Sequence, residues 1–172
     1  MEQAILAAKK SQDSIGGVVQ FVVQNVPAGL GEPIFDRLEA NLARAMLSIP
    51  ATKGFEIGSG FEGTKLRGSE HNDAIFHSEE KGFYTKTNRA GGTLGGISNG
   101  MPIWGRVAFK PTATISKDQD TVHKEGEASK LKAKGRHDPC VVPRAPVIVE
   151  SMAALTLVDF YLEQRARGHL FK

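Results

Sequence analysis

The sequence is short of cysteine and of aromatic residues, and each shortage excludes a class of protein. Cys140 is the only cysteine among 172 residues, so there is no intrachain disulfide and no thiol cluster for zinc. A lone cysteine is typical of a reducing compartment, and we expect a cytoplasmic protein. Only 7% of the residues are aromatic. With basic residues interspersed among acidic ones, this argues against stacking on nucleic-acid bases.

Long hydrophobic runs are also missing from the sequence. No apolar stretch approaches the ~20 residues that a membrane span requires. The first six residues lack the basic start and apolar run of a secretory signal. We therefore expect no membrane partner and a domain of ordinary size, residues 1–172, with a sizeable core.

Charge is modest overall but uneven along the chain. The formal net charge is +3, which is too weak to imply nucleic-acid binding by bulk electrostatics. Residues 105–172 hold 12 Lys and Arg against 8 Asp and Glu, a balance of +4, whereas the remainder holds 10 against 11, a balance of −1. This distribution favours local capture of small anions.

Hydrophobic periodicity predicts a mixed α+β fold. A β-branched run predicts a strand at 18–26, and apolar residues at spacings of three and four predict a helix from Pro33 to Ile49. With a strand at 55–57, these form a β-α-β unit. The other predicted elements are a helix at 2–10, loops at 58–72, a hairpin arm at 82–85, a strand at 103–109, a hairpin with surface loops at 116–134, and a helix at 147–167.

Glycine is concentrated in one motif. Five of the ten residues from Gly91 to Gly100 are glycine, and four of them form two Gly-Gly pairs, 91–92 and 95–96. Such pairs allow backbone N–H groups to approach a phosphate or a flat ring closely. Alternatively, they form a turn between strands without a ligand. Their spacing matches neither the dinucleotide fingerprint nor the P-loop.

The densest chemistry lies at Gly135–Arg144, where two arginines, a histidine, an aspartate and the cysteine share ten residues. Nearby cations would hold the Asp138 carboxylate ionised and ready to accept a proton, or an Arg–Asp pair simply ties the turn together. Cys140 has no feature that would activate it. Upstream, the segment Lys110-Pro-Thr-Ala-Thr114 contains an ammonium group and two hydroxyls. It is either a phosphate-binding segment or a solvated turn.

The remaining histidines are scattered. His71, His77, His123 and His169 have neither metal-ligand spacing nor an acidic partner at a helical offset. We interpret each as a surface or loop residue and predict no metal site.

Five motifs in register carry a family resemblance. The run from Gly135 to Ala145, continued by residues 148–155, resembles the C-terminal signature of the chorismate synthase family. The segment Asn88–Gly100 resembles that family's glycine-rich motif. Residues 66–73, 48–58 and 13–19 match it as well. The similarity runs in order from about residue 1 to residue 167.

The resemblance implies a lyase of the shikimate pathway, in aromatic amino acid biosynthesis. The family converts 5-enolpyruvylshikimate 3-phosphate to chorismate and phosphate by a 1,4-anti elimination that requires reduced FMN without net redox change. It also implies a β-α-β sandwich in a cytoplasmic homotetramer.

Site residues follow from the same resemblance, position by position. It implies flavin contacts at nine positions: Pro50, Ala51, Gly95, Lys110, Pro111, Thr112, Ala113, Thr114 and Arg136. At position 50 we expect a backbone contact, because some relatives have asparagine there, and Ala113 replaces a common serine. Asp138 corresponds to the aspartate proposed to help deprotonate the flavin. Arg136 also faces the anionic substrate.

The departure from the family is the absence of its N-terminal half. The segments Gly-Glu-Ser-His-Gly, Arg-Pro-Gly-His-Ala-Asp and Arg-Ser-Ser-Ala-Arg, which hold the family's acid histidines and most substrate arginines, have no counterpart here. We expect a C-terminal part that needs a separate N-terminal half for catalysis and is inactive alone. The alternative is a non-catalytic truncated module that oligomerises or binds flavin weakly.

Overall fold

A computed structural model describes residues 1–168, and its centre is a three-stranded sheet. Strands β1 (Gly17–Val23), β7 (Ile103–Phe109) and β2 (Thr52–Ile57) pair in the order β1-β7-β2. Strand β7 is antiparallel to both neighbours, so β1 and β2 are parallel to each other. Helix α2 (Leu38–Leu47) connects them, which confirms the predicted β-α-β unit.

The core lies between one face of this sheet and two helices, α2 and the long α5 (Ala145–Arg167). Alternate residues of β7 are buried, as expected for a strand with one covered face. Pro146 occupies the first turn of α5, where no N–H partner is needed, and Gly168 ends it in the left-handed region. The side chains with the least exposure are Leu30, Leu38, Leu42, Met46, Ile103, Val107 and Val149.

The other elements are short and surround this core. They are α1 (Glu2–Lys10), single helical turns α3 (Gly60–Gly63) and α4 (Gly68–His71), and the hairpins β3–β4 (Ile75–Ser78, Gly82–Thr85), β5–β6 (Thr93–Leu94, Ile97–Ser98) and β8–β9 (Gln119–Val122, Ala128–Leu131). A 3₁₀ turn, Val142–Arg144, precedes α5. The predicted α+β class and long C-terminal helix are confirmed.

The predicted start of α2 is wrong. The helix begins at Leu38 rather than at Pro33, and Phe35 is 91% exposed instead of contributing to the buried stripe. The Leu38 N–H donates to the carbonyl of Gly96 at 2.8 Å. The start of the helix thus depends on a partner almost sixty residues away. The local hydrophobic pattern cannot predict such a partner.

Helix α5 also corrects an expectation about hydrophobic runs. The stretch Val142–Arg167 contains an 18-residue window with a mean hydropathy of 1.5, and by length and composition it could cross a membrane. One such helix is weak evidence for a span, because the core helix of a globular protein has the same composition. Its inner face, with Val149, Ala153 and Leu157, packs in the core.

Candidate functional site

Three segments far apart in sequence meet at one end of the sheet, where β1 and β2 begin and β7 ends. The Lys110 N–H donates to the Ala51 carbonyl at 2.9 Å. The Thr112 hydroxyl donates to the Asp138 carbonyl at 2.9 Å. We call residues 50–51, 110–114 and 136–138 together the basic end. The structure therefore brings together all but one of the site residues predicted from the sequence.

The turn at Pro50 and Ala51 presents backbone. Ala51 adopts φ 70°, in the left-handed region that is uncommon for residues other than glycine. The buried Thr52 hydroxyl fixes this turn by donating to the Ile49 carbonyl at 2.7 Å. Since Pro50 and Ala51 carry no polar side chain, only their backbone can bind a ligand.

The segment from Lys110 to Thr114 is held by the chain that leads into β1. The Ser14 hydroxyl donates to the Thr112 carbonyl at 2.6 Å. Gly16 lies so close to the end of β7 that an added Cβ would stand 2.2 Å from the Phe109 carbonyl oxygen. These contacts fix the backbone while Lys110 and Thr114 stay exposed. Neither Lys110 nor Arg136 forms an ion pair within residues 1–168.

The Asp138 turn joins the same end of the sheet. The Ile15 N–H donates to the Pro139 carbonyl at 2.9 Å, which docks the turn beside the start of β1. The Asp138 carboxylate pairs with Arg144, so the structural alternative raised by the sequence is present. This pair is partly exposed, and the carboxylate remains within reach of solvent. Cys140 is buried in the core, as expected for an unactivated thiol.

A small cavity of about 240 Å³ opens beside this turn. Asp13, Thr114, His137 and Asp138 are among the residues that line it. A hydrogen bond from Lys117 and a second from the Ser14 N–H lower the pKa of Asp13. The sequence interpretation missed Asp13, although it lies in a motif that supported the resemblance. The cavity is smaller than the ~300–1,000 Å³ of typical cofactor pockets.

Gly95 is the predicted site residue that lies elsewhere. It belongs to the turn of the β5–β6 hairpin, beside the start of β7, whereas the basic end adjoins the last residue of that strand. At ~3.3 Å per residue, the seven residues of β7 put about 20 Å between the two sites. We call residues 87–98 the glycine end. The predicted flavin contact at Gly95 is therefore separate from the others within this chain.

The glycine end is a turn between strands in which most of the glycines are packed. An added Cβ would stand 2.4 Å from the Gly58 nitrogen at Gly91 and 2.6 Å from the Pro102 carbonyl oxygen at Gly92. At Gly96 it would stand 2.5 Å from the Arg37 side chain, whereas at Gly95 it would meet nothing within 4 Å. Only Gly95 thus offers its backbone to an approaching molecule.

Within the described residues the histidines form no metal site. The Nε2 atom of His71 lies 2.8 Å from the Ser59 hydroxyl, His77 packs on Phe83, and His123 is exposed. His169 falls outside the described residues.

The basic end has groups that suit the phosphate of an anionic, planar cofactor, but its cavity is too small to enclose the whole molecule. Lys110 and Arg136, which are exposed and have no ion-pair partner within residues 1–168, suit a phosphate group together with the Thr114 hydroxyl. The Thr112 hydroxyl already donates its proton to the Asp138 carbonyl. The Asp138 carboxylate can accept a proton. The small cavity leaves the rest of such a molecule uncovered by this chain.

Comparisons with known proteins identify the fold and the motifs. A family profile described as chorismate synthase matches residues 1–162. The chorismate synthase of Synechococcus elongatus is 60% identical over 167 residues, which are 97% of this chain and 46% of that protein. The chorismate synthase of Opitutus terrae is 59% identical over 172 residues, all of this chain and 47% of that protein.

A solved structure agrees with these sequence relatives. A crystal structure of chorismate synthase matches with a TM-score of 0.77 and 39% identity, covering 95% of this chain and 42% of that one. The predicted fold type is therefore confirmed. The chain spans about half the length of the relatives it matches.

Proposed function

Because the chain belongs to the chorismate synthase family, we propose that it supplies the C-terminal part of an active site for the family's reaction. That reaction eliminates phosphate from 5-enolpyruvylshikimate 3-phosphate to give chorismate, with reduced FMN as cofactor. The C–O bond to phosphate and the C6–H bond both break, and there is no net redox change. The convergence of residues 50–51, 110–114 and 136–138 at one end of the sheet carries the proposal.

In this proposal the basic end binds anions and moves a proton. Lys110, Thr114 and the backbone at Thr112 would hold the flavin phosphate, the backbone at Pro50 and Ala51 would hold the ring, and Arg136 would also face the substrate phosphate. Reduced FMN, when bound, supplies electron density that favours departure of phosphate. The Asp138 carboxylate would accept a proton at the site, and the ion pair with Arg144 would keep that carboxylate oriented.

The rest of the fold must be present for turnover, in the same polypeptide or a separate one. The family's acid histidines and most of its substrate arginines have no counterpart in residues 1–172. We propose that the complete enzyme is a cytoplasmic homotetramer and that residues 1–172 alone do not turn over.

The outer face of α5 supports association with that remainder. The helix is apolar on nearly all sides, a composition typical of a helix buried all round. A set of large apolar side chains on its outer face, which we call the outer stripe, is exposed: Val147, Ile148, Leu155, Val158 and Leu162. Since water contacts this stripe in the isolated chain, we propose that the rest of the fold covers it.

The alternative is a non-catalytic module in which the outer stripe joins copies of this chain. An assay of phosphate release under anaerobic conditions, with reduced FMN and substrate, distinguishes the C-terminal part of an active site from the non-catalytic module. The chain alone should release no phosphate, and adding a polypeptide with the N-terminal part of a relative should restore release. Release by residues 1–172 alone would contradict the need for the remainder. Failure of complementation, with the chain oligomeric by native mass spectrometry, would favour the module.

A matched pair of variants tests the outer stripe in the same assay. Leu155→Glu places a charge on the stripe, and Val122→Glu places one on the exposed β8–β9 hairpin. We expect Leu155→Glu to prevent complementation or self-association while Val122→Glu leaves both unchanged. Equal behaviour of the two variants would remove the stripe as the docking surface.

A further inference from the structure

Asp73, between α4 and β3, is a charged residue that the proposed reaction does not use. It is only 7% exposed. Its Oδ1 atom accepts hydrogen bonds from the Thr87 hydroxyl at 2.6 Å and from the Arg89 N–H at 2.9 Å, and its Oδ2 atom accepts one from the Ala90 N–H at 2.8 Å. A buried carboxylate is costly unless its oxygens are paired, so these three donors explain why it is tolerated.

The three donors belong to the first residues of the glycine end. One residue of this segment, Asn88, continues the same framework. Its amide donates to the Pro102 carbonyl at 2.7 Å, and its side-chain oxygen accepts the Gly92 N–H at 2.8 Å. The Trp104 indole donates to the Asn88 carbonyl at 2.8 Å. Asp73 and Asn88 therefore fix the base of the β5–β6 hairpin against the start of β7.

The hairpin that rises from this base has little freedom. Its Gly91, Gly92 and Gly96 positions are closely packed, as described above, and the Gly96 carbonyl accepts the first N–H of α2. Gly95 alone is exposed with open space around it. Gly95 itself has no packing contact that would fix its backbone. Its conformation therefore depends on the hydrogen bonds at the base of the hairpin and on the packed glycines on either side.

We propose that Asp73 is a positioning residue, which holds the base of the hairpin so that the Gly95 backbone is presented to the flavin in a fixed conformation. This inference rests on the proposed function together with the flavin contact that the family resemblance implies at Gly95. A carboxylate suits the task because it accepts from several donors at once, whereas an amide would turn one acceptor into a donor facing N–H groups.

The protonation of Asp73 agrees with this geometry. Burial raises the pKa of its carboxyl, but the hydrogen bonds from Thr87, Ala90 and Arg89, with a smaller contribution from the charge of His71, outweigh burial and leave the pKa below its usual range. The carboxylate is thus ionised at neutral pH and available to all three donors.

The first test follows the backbone amides of the 172-residue chain by NMR in Asp73→Asn and in a control, Glu62→Gln. Glu62 is an exposed carboxylate whose ion-pair partner within residues 1–168 is Lys65. We expect Asp73→Asn to shift the amides of Arg89, Ala90 and Gly95 and to leave that of Val107 in the sheet unchanged. Glu62→Gln should leave all four of these amides unchanged. Unchanged Gly95 resonances in Asp73→Asn would overturn the inference without touching the proposed function.

The second test measures the affinity for FMN in the complemented enzyme. We expect Asp73→Asn to weaken FMN binding about tenfold, with kcat at saturating FMN nearly unchanged, because the variant loses charge-assisted hydrogen bonds that act only through the turn. A merely structural role would lower the amount of active enzyme and leave the dissociation constant unchanged, which would overturn the inference. Wild-type assembly that fails to bind FMN would remove the proposed function itself.

A milder variant keeps the test decisive if Asp73→Asn does not fold. Thr87→Val removes only the hydroxyl donor to Asp73 and keeps the shape of the side chain. We expect a smaller shift of the Gly95 amide and a weakening of FMN binding of about threefold. Wild-type FMN affinity in this variant, with a shifted Gly95 amide, would show that the turn does not control flavin binding.

Discussion

The two ends of the central sheet are built on different principles. At the glycine end, backbone and buried side chains satisfy one another: Asp73, Asn88 and Ser98 each bond to groups far away in sequence. At the basic end, similar bonds fix the backbone, but Lys110 and Arg136 extend into solvent. Bonds between segments thus define the shape of both ends, and at the basic end two charged side chains also extend into solvent.

This difference separates residues that determine stability from residues that determine chemistry. A packed glycine has no room for change, so altering it should unfold the chain. An exposed charged side chain contributes little to stability, so altering it should leave the fold intact and affect only binding or turnover.

The largest expected effect is on turnover, at the basic end. Asp138→Asn in the complemented enzyme should lower turnover about 100-fold or more, because loss of a proton acceptor costs that much, while FMN affinity and thermal stability change little. Phosphate release and FMN titration measure the two. Asp120→Asn, an exposed carboxylate on β8 paired with Lys130, is the control. Normal turnover in Asp138→Asn would remove Asp138 from the mechanism.

At the glycine end, the largest expected effect is on stability. Gly91→Ala should lower the free energy of unfolding by at least ~3 kcal/mol, because a Cβ would stand 2.4 Å from the Gly58 nitrogen at a positive φ of 72°. Gly95→Ala, with a φ of 61° but open space, should cost only about 1 kcal/mol. Urea denaturation of the 172-residue chain measures both. Equal losses would show that the packing around Gly91 is not tight.

A smaller loss of stability is expected at Ser98. This side chain is 3% exposed, donates to the Pro27 carbonyl at 2.6 Å and accepts the Leu30 N–H at 2.8 Å. Ser98→Ala removes this partner from the buried Leu30 N–H and from the half-buried Pro27 carbonyl, and should cost about 1–3 kcal/mol. Ser69→Ala, on the exposed turn α4, should stay within about 0.5 kcal/mol of the wild type. A neutral Ser98→Ala would mean that water replaces the hydroxyl.

The smallest expected effect is on stability in acid. It compares Asp73, which bonds to the glycine end, with Asp13, which lines the cavity beside the basic end. The pKa values of Asp73 and Asp13 both lie below the ordinary value. Each carboxylate therefore contributes stability above its unfolded pKa of about 3.9, and that contribution is lost as the pH falls through the lower folded value.

Asp73→Asn should therefore flatten the loss of stability below about pH 4 more than Asp13→Asn does, because Asp73 is buried and solvent screens the exposed Asp13–Lys117 pair. Thermal unfolding across this pH range measures the slopes. A larger flattening in Asp13→Asn would place the stronger electrostatic contribution at the basic end.

Much of the fold could be predicted from the sequence where the pattern is local. The alternation of β7 and the apolar length of α5 specify a strand and a helix by themselves. The start of α2 could not be predicted, because Gly96 supplies the partner of its first N–H. The site residues came from the family resemblance, and their convergence at the basic end was not visible in the spacing of Pro50, Lys110 and Arg136.

The two carboxylates that the sequence interpretation missed show the same limit. Asp13 and Asp73 lie in motifs that support the family resemblance, yet neither has a neighbour in sequence that marks it as buried or ion-paired. Lys117 and Thr87 become their partners only when the chain folds. A buried aspartate and an exposed one look alike in sequence.

By itself, the sequence determined the α+β class, the long helix α5, the glycine turn and the family. These follow from side-chain periodicity, from the need for glycine at positive φ, and from motifs in register. Only the tertiary structure decided that Gly95 lies about 20 Å from the basic end, at ~3.3 Å per residue of β7, and that the outer stripe of α5 is uncovered. Both depend on contacts between segments far apart in the chain, which exist only once the backbone hydrogen bonds of the sheet have formed.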